Sequence, residues 1–251
     1  MAGHSKWANI KHKKAAVDAK RGAAFTKVVK VIVVAVKKGG PDPGMNPSLR
    51  LAVEKARSVN MPKDNIERAI KKASGEDGSV TYEELTYEGY AQGGVALLVD
   101  ALTDNKNRTT PEIRKIFEKG GGNMGEMGCV NWMFNTNGVI TMPCMGKTED
   151  ELMEVALEAG ADDISLDGDV AEITTGPDSM TEVIDALKAQ GFDPSGDVAK
   201  IAENTVSVNL ETAKKILRLM DNIEEHEDVQ NVYSSMDLSA EVQEALEKEG
   251  F

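Results

Sequence analysis

Residues 148–160 read TEDELMEVALEAG and residues 179–191 read SMTEVIDALKAQG. Each segment opens on a hydroxyl residue with Glu three positions later (Thr148 and Glu151, Ser179 and Glu182). Each closes on glycine twelve positions after it opens (Gly160, Gly191), and the two are thirty-one positions apart. A capping box satisfies two orphan N–H groups at a helix start, and a closing glycine accepts the left-handed backbone that ends a helix, so the spacing predicts two matched helices. Strand candidates flank them: Val139 to Met142, Ile164 to Leu166, Val170 to Thr174 and Val198 to Ile201, with a turn at Asp167 and Gly168. The order βαββαβ is the split βαβ, ferredoxin-like pattern, and predicts an inserted α/β domain over residues 135–202.

Moving outward, Thr81 to Tyr90 and Val95 to Thr103 read as strands around Gly93 and Gly94. Thr109-Thr110-Pro111 then starts a helix presenting Ile113, Ile116 and Phe117, and a strand is expected at about Cys129 to Phe134. Beyond the inserted unit, Asn209 caps a helix with Leu210, Ala213, Leu217 and Met220 inward, and Val229 to Ser235 is strand-like. These pieces predict a discontinuous α/β domain formed by residues 77–134 plus 203–251.

Residues 1–76 are of a different kind. Phe25, Val28, Val29, Ile32, Val33 and Val36 follow the i, i+3, i+4, i+7 spacing of one helix face. The β-branched run admits a strand as well, but the preceding alanine-rich stretch favours one long helix ended by Gly39, Gly40 and Pro41. Asn46-Pro47 reads as an N-cap and first-turn proline, with Leu49, Ala52, Val53 and Ala56 inward. A third helix starts near Pro62 and buries Ile66, Ala69, Ile70 and Ala73. The fold class is therefore α+β: an N-terminal three-helix bundle followed by two α/β domains, at least one ferredoxin-like.

Charge divides the chain at the same place. The first 72 residues carry 17 Lys and Arg against 5 Asp and Glu, and the remaining 179 carry 12 against 37, so a formal net charge of −13 conceals a local +12 and −25. The field a polyanion meets is local, decaying over roughly 10 Å at ordinary salt, so the N-terminal segment is the expected nucleic-acid-binding end. Lys13, Lys20 and Lys27 recur every seven residues, close to two helical turns, with Lys14 and Arg21 beside them and Lys6 and Lys11 preceding them. Such a ridge neutralises phosphates with little sequence preference, whereas base readout needs bidentate Arg, Asn or Gln in a groove. Trp7, flanked by Lys6, Lys11 and His12, is equally suited to stacking on a base and to packing against the bundle. Lys106 and Arg108 lie beside a predicted helix start and offer a second phosphate contact, in competition with an ordinary capped connection.

No catalytic, metal or cofactor constellation emerges. Gly120, Gly122 and Gly125 satisfy G-x-G-x-x-G, but they follow a helix and precede none, which predicts a helix stop and a flexible loop. Cys129 lacks a neighbouring His and reads as a packed thiol, and the acids at 162, 163, 167 and 169 lack EF-hand spacing. His4 and His12 have no third ligand nearby. With two cysteines, no signal-peptide core and no membrane-length apolar run, the chain reads as soluble, cytoplasmic and non-membrane, a monomer being favoured.

MAGHSKWANIKHKK at residues 1–14, DAKRG at 18–22, NMPKDNIERAIKK at 60–72, YEGY at 87–90 and GGN at 121–123 closely resemble the YebC/PmpR family over essentially the whole chain. The valine-rich residues 31–34 and the stretch around Cys129 and Asn131-Trp132-Met133 depart from the usual pattern. The resemblance implies three domains and a non-enzymatic regulator: a DNA-binding transcriptional regulator by the customary description, or alternatively a translation factor working with ribosomal RNA, tRNA or the ribosome.

Overall fold

The computed structural model of the protein describes residues 19–75 and 80–250. Three helices come first: α1 (Ala19–Gly39), α2 (Pro47–Ser58) and α3 (Lys63–Ser74). The β-branched run of α1 stays helical because its stripe is buried: Val28, Ile32, Val33 and Val36 pack on Leu49, Ala52 and Ala56 of α2 and on Ile66, Ala69 and Ala73 of α3. Tertiary burial here overrides the weak helix propensity of valine. Asn46 joins the first two helices. Its Oδ1 caps α2 at Leu49 N, and its Nδ2 donates to Ala35 O and Gly40 O of the preceding turn, both at 2.8 Å. Gly39 is required beside it, since a Cβ there would lie 2.7 Å from the Asn46 side chain.

The second unit is an antiparallel sheet of β1 (Glu83–Tyr90), β2 (Ala96–Thr103), β3 (Asn123–Met124) and β9 (Val229–Ser234), ordered β3-β1-β2-β9, with α4 (Lys106–Lys119) and α7 (Leu210–Glu224) on one face. Strand β2 is apolar from Ala96 to Val99 because both its faces are covered there. Leu97 and Val99 pack against Ile113, Phe117, Leu217 and Met220, while Ala96 and Leu98 meet Val130, Phe134, Ala199 and Tyr233. A short parallel pair, β8 (Val206–Ser207) with β10 (Met236–Asp237), and a last helix, α8 (Ala240–Lys248), complete this unit.

The third unit carries β4 (Phe134–Pro143), α5 (Glu149–Glu158), β5 (Asp163–Asp167), β6 (Val170–Thr175), α6 (Met180–Ala189) and β7 (Ser195–Ala202). Its sheet order is β5-β6-β4-β7, antiparallel at every pairing, so the predicted ferredoxin-like βαββαβ unit is present. Ile140, Met142, Ala171 and Ile173 form the covered face, buried under Leu152, Ala156, Met180, Val183 and Leu187. Fold class and element order match the α+β reading.

Four local expectations are corrected. Helix α4 begins at Lys106 under an Asn105 cap, three residues before Thr109, because the asparagine side chain accepts from Arg108 N. Pro111 therefore sits inside the helix rather than at its start. Residues 129–133 form no strand but a loop and a short 3-10 turn, and the strand begins at Phe134 and runs ten residues. The glycine segment after α4 is tightly packed: a Cβ at Gly122 would lie 2.8 Å from Tyr90 O, and one at Gly125 would lie 2.5 Å from Cys129 Sγ. Of the two capping boxes only the one at Thr148 forms; Ser179, at φ −86° and ψ −12°, makes no side-chain cap bond.

Candidate nucleic-acid interface

Lys6, Trp7, Lys11, His12, Lys13 and Lys14 lie outside the described residues. Lys20 and Arg21 fall in the first turn of α1, and Lys27 follows two turns later on the same face. There the ridge meets the rest of the protein. Lys27 is half-buried and its Nζ donates to Glu224 O at the C-terminus of α7, where helix carbonyls lack partners.

One turn further, Lys30 is buried. Its Nζ donates to Glu227 O at 2.9 Å and to Asp228 Oδ1 at 2.5 Å. Asp228 is fully buried and accepts on its other oxygen from Arg108 Nη2 at 2.8 Å and Thr109 Oγ1 at 2.6 Å. Burial alone would push this carboxyl up. The donors from Lys30, Thr109 and Arg108 outweigh that, and it stays ionised well below the usual carboxylate range. Asp228 in turn holds the Arg108 guanidinium more firmly protonated. Arg108 also reaches Asp104 at 3.1 Å, so this predicted contact residue belongs to an intramolecular cluster, while Lys106 beside it is exposed.

Two further ion pairs tie the helical unit to the acidic remainder: Lys38 with Glu84 on β1, and Lys55 on α2 with Asp197 on β7 at 2.8 Å. The acidic units therefore neutralise one side of the bundle. On α3 the side away from the buried Ile66, Ala69 and Ala73 exposes Arg68, Lys71 and Lys72, at spacings that place them together. Arg68 bonds only Asp64 O and Asn65 Oδ1, and among the described residues Lys71, Lys72 and the exposed Arg57 at the end of α2 have no acidic partner.

Sequence reading missed both the α3 cluster and Lys30. For Lys30 a signal existed: a lysine inside an apolar stripe demands a buried acid. Nothing in the sequence says that Asp228, 198 positions away, supplies it. Cys129 is in a loop, and burial first, then Glu88 and Glu126, push its thiol up, while burial and Asp169 do the same for Cys144. Neither is an activated nucleophile. Among the described residues no helix is long and apolar enough to cross a membrane.

A basic helical unit held by acidic α/β units, with its remaining cations turned outward, defines a multidomain protein built to present positive charge at one end. The chain belongs to the TACO1/YebC family: residues 5–76 match its N-terminal domain and residues 82–236 its second and third domains. Relatives bearing the name "Probable transcriptional regulatory protein" include one from Halothermothrix orenii, 52% identical over 99% of this chain and 100% of its own. Another, from Treponema denticola, is 53% identical over 95% and 97%. The crystal structure of a conserved hypothetical protein from Aquifex aeolicus superposes with a TM-score of 0.82 at 44% identity, covering 90% of this chain and 93% of that one.

Proposed function

We propose that this chain is a non-enzymatic regulator of gene expression that binds nucleic acid through its N-terminal basic segment. The observation that carries the reading is the one-sided neutralisation of the bundle. Lys30, Lys38 and Lys55 are occupied by Asp228, Glu84 and Asp197, whereas Arg57, Arg68, Lys71 and Lys72 are exposed and have no carboxylate partner among the described residues. Lys20 and Arg21, with Lys6, Lys11, Lys13, Lys14, Trp7 and His12 before them, extend the cationic set. Lys27 and Arg108 act instead at the seam between units.

The shared name of the relatives, which speaks of transcriptional regulation, favours a role in transcription. A second reading, an RNA- or ribosome-directed translation factor, is favoured by the cation chemistry. The chain has seven arginines, of which Arg50 and Arg108 are tied to protein acceptors, so lysine dominates the cationic set and suits phosphate contact more than bidentate base reading. Crosslinking in cells followed by sequencing of all bound nucleic acid separates the two. Promoter DNA as the main product establishes the first reading, ribosomal RNA or tRNA establishes the second, and recovery of neither refutes both.

A further inference from the structure

Glu88 lies on β1, is buried, and points at no cation that it bonds. Its Oε1 accepts from Gly128 N at 2.6 Å and its Oε2 from Val130 N and Asn131 N, each at 2.7 Å. Its backbone oxygen accepts Gly125 N at 2.8 Å. Burial pushes this carboxyl up, yet the three amide donors, helped by Lys200, bring it below the ordinary range, so it remains an anion. One side chain thus fixes the loop 125–133 from inside.

The loop is held from three further directions. Val130 is fully buried in the cluster with Leu98, Phe134 and Tyr233. Tyr90 Oη and Trp132 Nε1 both donate to Cys129 O at 3.2 Å, so two aromatic side chains converge on one carbonyl. Gly125 sits so close to Cys129 that no Cβ fits between them, and Gly128, at φ +88°, takes the turn.

What this scaffold displays is apolar. Trp132 is 68% exposed and Met127 90%, with Tyr90 at 38% beside them. A stiff loop presenting a tryptophan and a methionine has already lost most of the entropy that binding would cost, and tryptophan is among the side chains most enriched at energetic centres of interfaces.

Charge selects the partner. No Lys or Arg occurs from Gly120 to Gly146. Glu126 lies within the loop, close enough to Cys129 to raise its thiol pKa. Glu203 lies at the other end, its N–H bonded to Met133 O and its carboxylate to Asn135. Lys200, near Glu88, is paired with Asp100 at 2.8 Å. A phosphate backbone meets net negative charge here, whereas an arginine or lysine finds an exposed indole on a loop that carries Glu126 and is bonded to Glu203, a setting that favours a cation over an aromatic ring.

We propose that residues 125–133 form a protein-docking loop for a basic, partly apolar peptide segment of a partner protein. Trp132 receives a cationic side chain and Met127 packs beside it. This site is separate from the nucleic-acid surface and stands or falls independently of it.

The test uses the full-length protein and three fluorescein-labelled probes: a twelve-residue peptide of alternating Arg and Leu, the same peptide with Glu for Arg, and a single-stranded RNA dodecamer, each followed by anisotropy. The Arg/Leu peptide is expected to bind saturably and the Glu peptide not to bind. Trp132→Ala is expected to weaken the Arg/Leu peptide about tenfold or more, and Met127→Ser several-fold. Both replacements leave the net charge unchanged, so diffuse attraction of a cationic peptide to an acidic protein survives them. Both positions are exposed and Trp132→Ala removes only its exposed bond to Cys129 O, so thermal unfolding should shift by no more than a degree or two, about 0.5 kcal/mol. Equal peptide affinity in wild type and Trp132→Ala overturns the proposal, as does absence of saturable peptide binding. RNA binding that depends on Trp132 while peptide binding does not also overturns it, and makes the loop a base-stacking platform.

Discussion

Replacing Asp228 with Asn should be the most damaging single change at the seam between the helical unit and the sheet. Asp228 has no exposed surface and is met by three donors, from Lys30, Arg108 and Thr109. Asparagine keeps the shape but removes the charge, and it turns an N–H₂ toward at least one of those donors. Lys30, itself only 7% exposed at the side chain, is then left with Glu227 O alone. Breaking a buried pair from one side costs about 3–5 kcal/mol, because the surviving charge is stranded. Removing the other partner is milder: Lys30→Met fits the apolar stripe of α1 and leaves Asp228 with Arg108 and Thr109, so about 1–2 kcal/mol is expected. For a chain of this size each kcal/mol lowers Tm by roughly 2–4 °C, so Asp228→Asn should lower it by about 6–20 °C in calorimetry. The double variant should lose less than the sum, since the lysine is no longer there to be stranded. The same carboxyl predicts a pH dependence. Its folded pKa lies below the ordinary 3.8, so its stabilisation is complete above that value and drains away as pH falls below it. This acid-side loss should be absent in Asp228→Asn. A Tm drop of under 2 °C for Asp228→Asn, or an equal drop for Lys30→Met, refutes the reasoning.

Three further outcomes follow from particular contacts. Arg68→Glu, Lys71→Glu and Lys72→Glu combined should weaken binding to duplex DNA or structured RNA and flatten the slope of log K against log salt by about 2–3, with little change in unfolding; an unchanged slope removes α3 from the interface. Asn46→Ala deletes an N-cap, a buried bond to Ala35 O and a part-buried one to Gly40 O and should cost about 2–4 kcal/mol in denaturant titration; a loss under about 1 kcal/mol refutes the joint assigned to it. Thr148→Ala should cost about 1 kcal/mol, while Ser179→Ala should cost almost nothing, because only Thr148 accepts a cap bond; equal losses contradict the geometry.

The elements legible in the sequence were those whose signal is local. The stripe from Val28 to Val36, the Asn46-Pro47 and Asn209 caps and the two glycine-ended helices at 148–160 and 179–191 each sit where pattern placed them. What failed depended on partners far along the chain. Residues 129–133 are apolar enough for a strand, yet Glu88, some forty positions earlier, takes the amide groups of Val130 and Asn131, and those of Cys129 and Met133 close local turns instead of a ladder. The glycines at 120, 122 and 125 read as freedom and are instead close contacts with Leu219, Tyr90 and Cys129. In the candidate site the sign and end of the charge were visible, because composition suffices for that. Which cations remain free was not, since Lys27 and Arg108 find their partners about 120 to 200 positions away.

The charge division therefore serves two ends that compete for the same residues. Surface pairs such as Lys38 with Glu84 and Lys55 with Asp197 are worth little each and weaken with salt, so they orient more than they hold. The buried Lys30 with Asp228 is screened by salt far less, and it ties α1 to the sheet unit. If the basic segment binds nucleic acid as proposed, the acidic units would influence that binding without touching the ligand. They occupy Lys27, Lys30, Lys38 and Lys55, while Arg57 at the end of α2 and Arg68, Lys71 and Lys72 on the outer face of α3 stay exposed. On the proposed reading, a phosphate ligand reaches the seam only by displacing the buried Asp228 carboxylate, so binding and domain docking would use different cations.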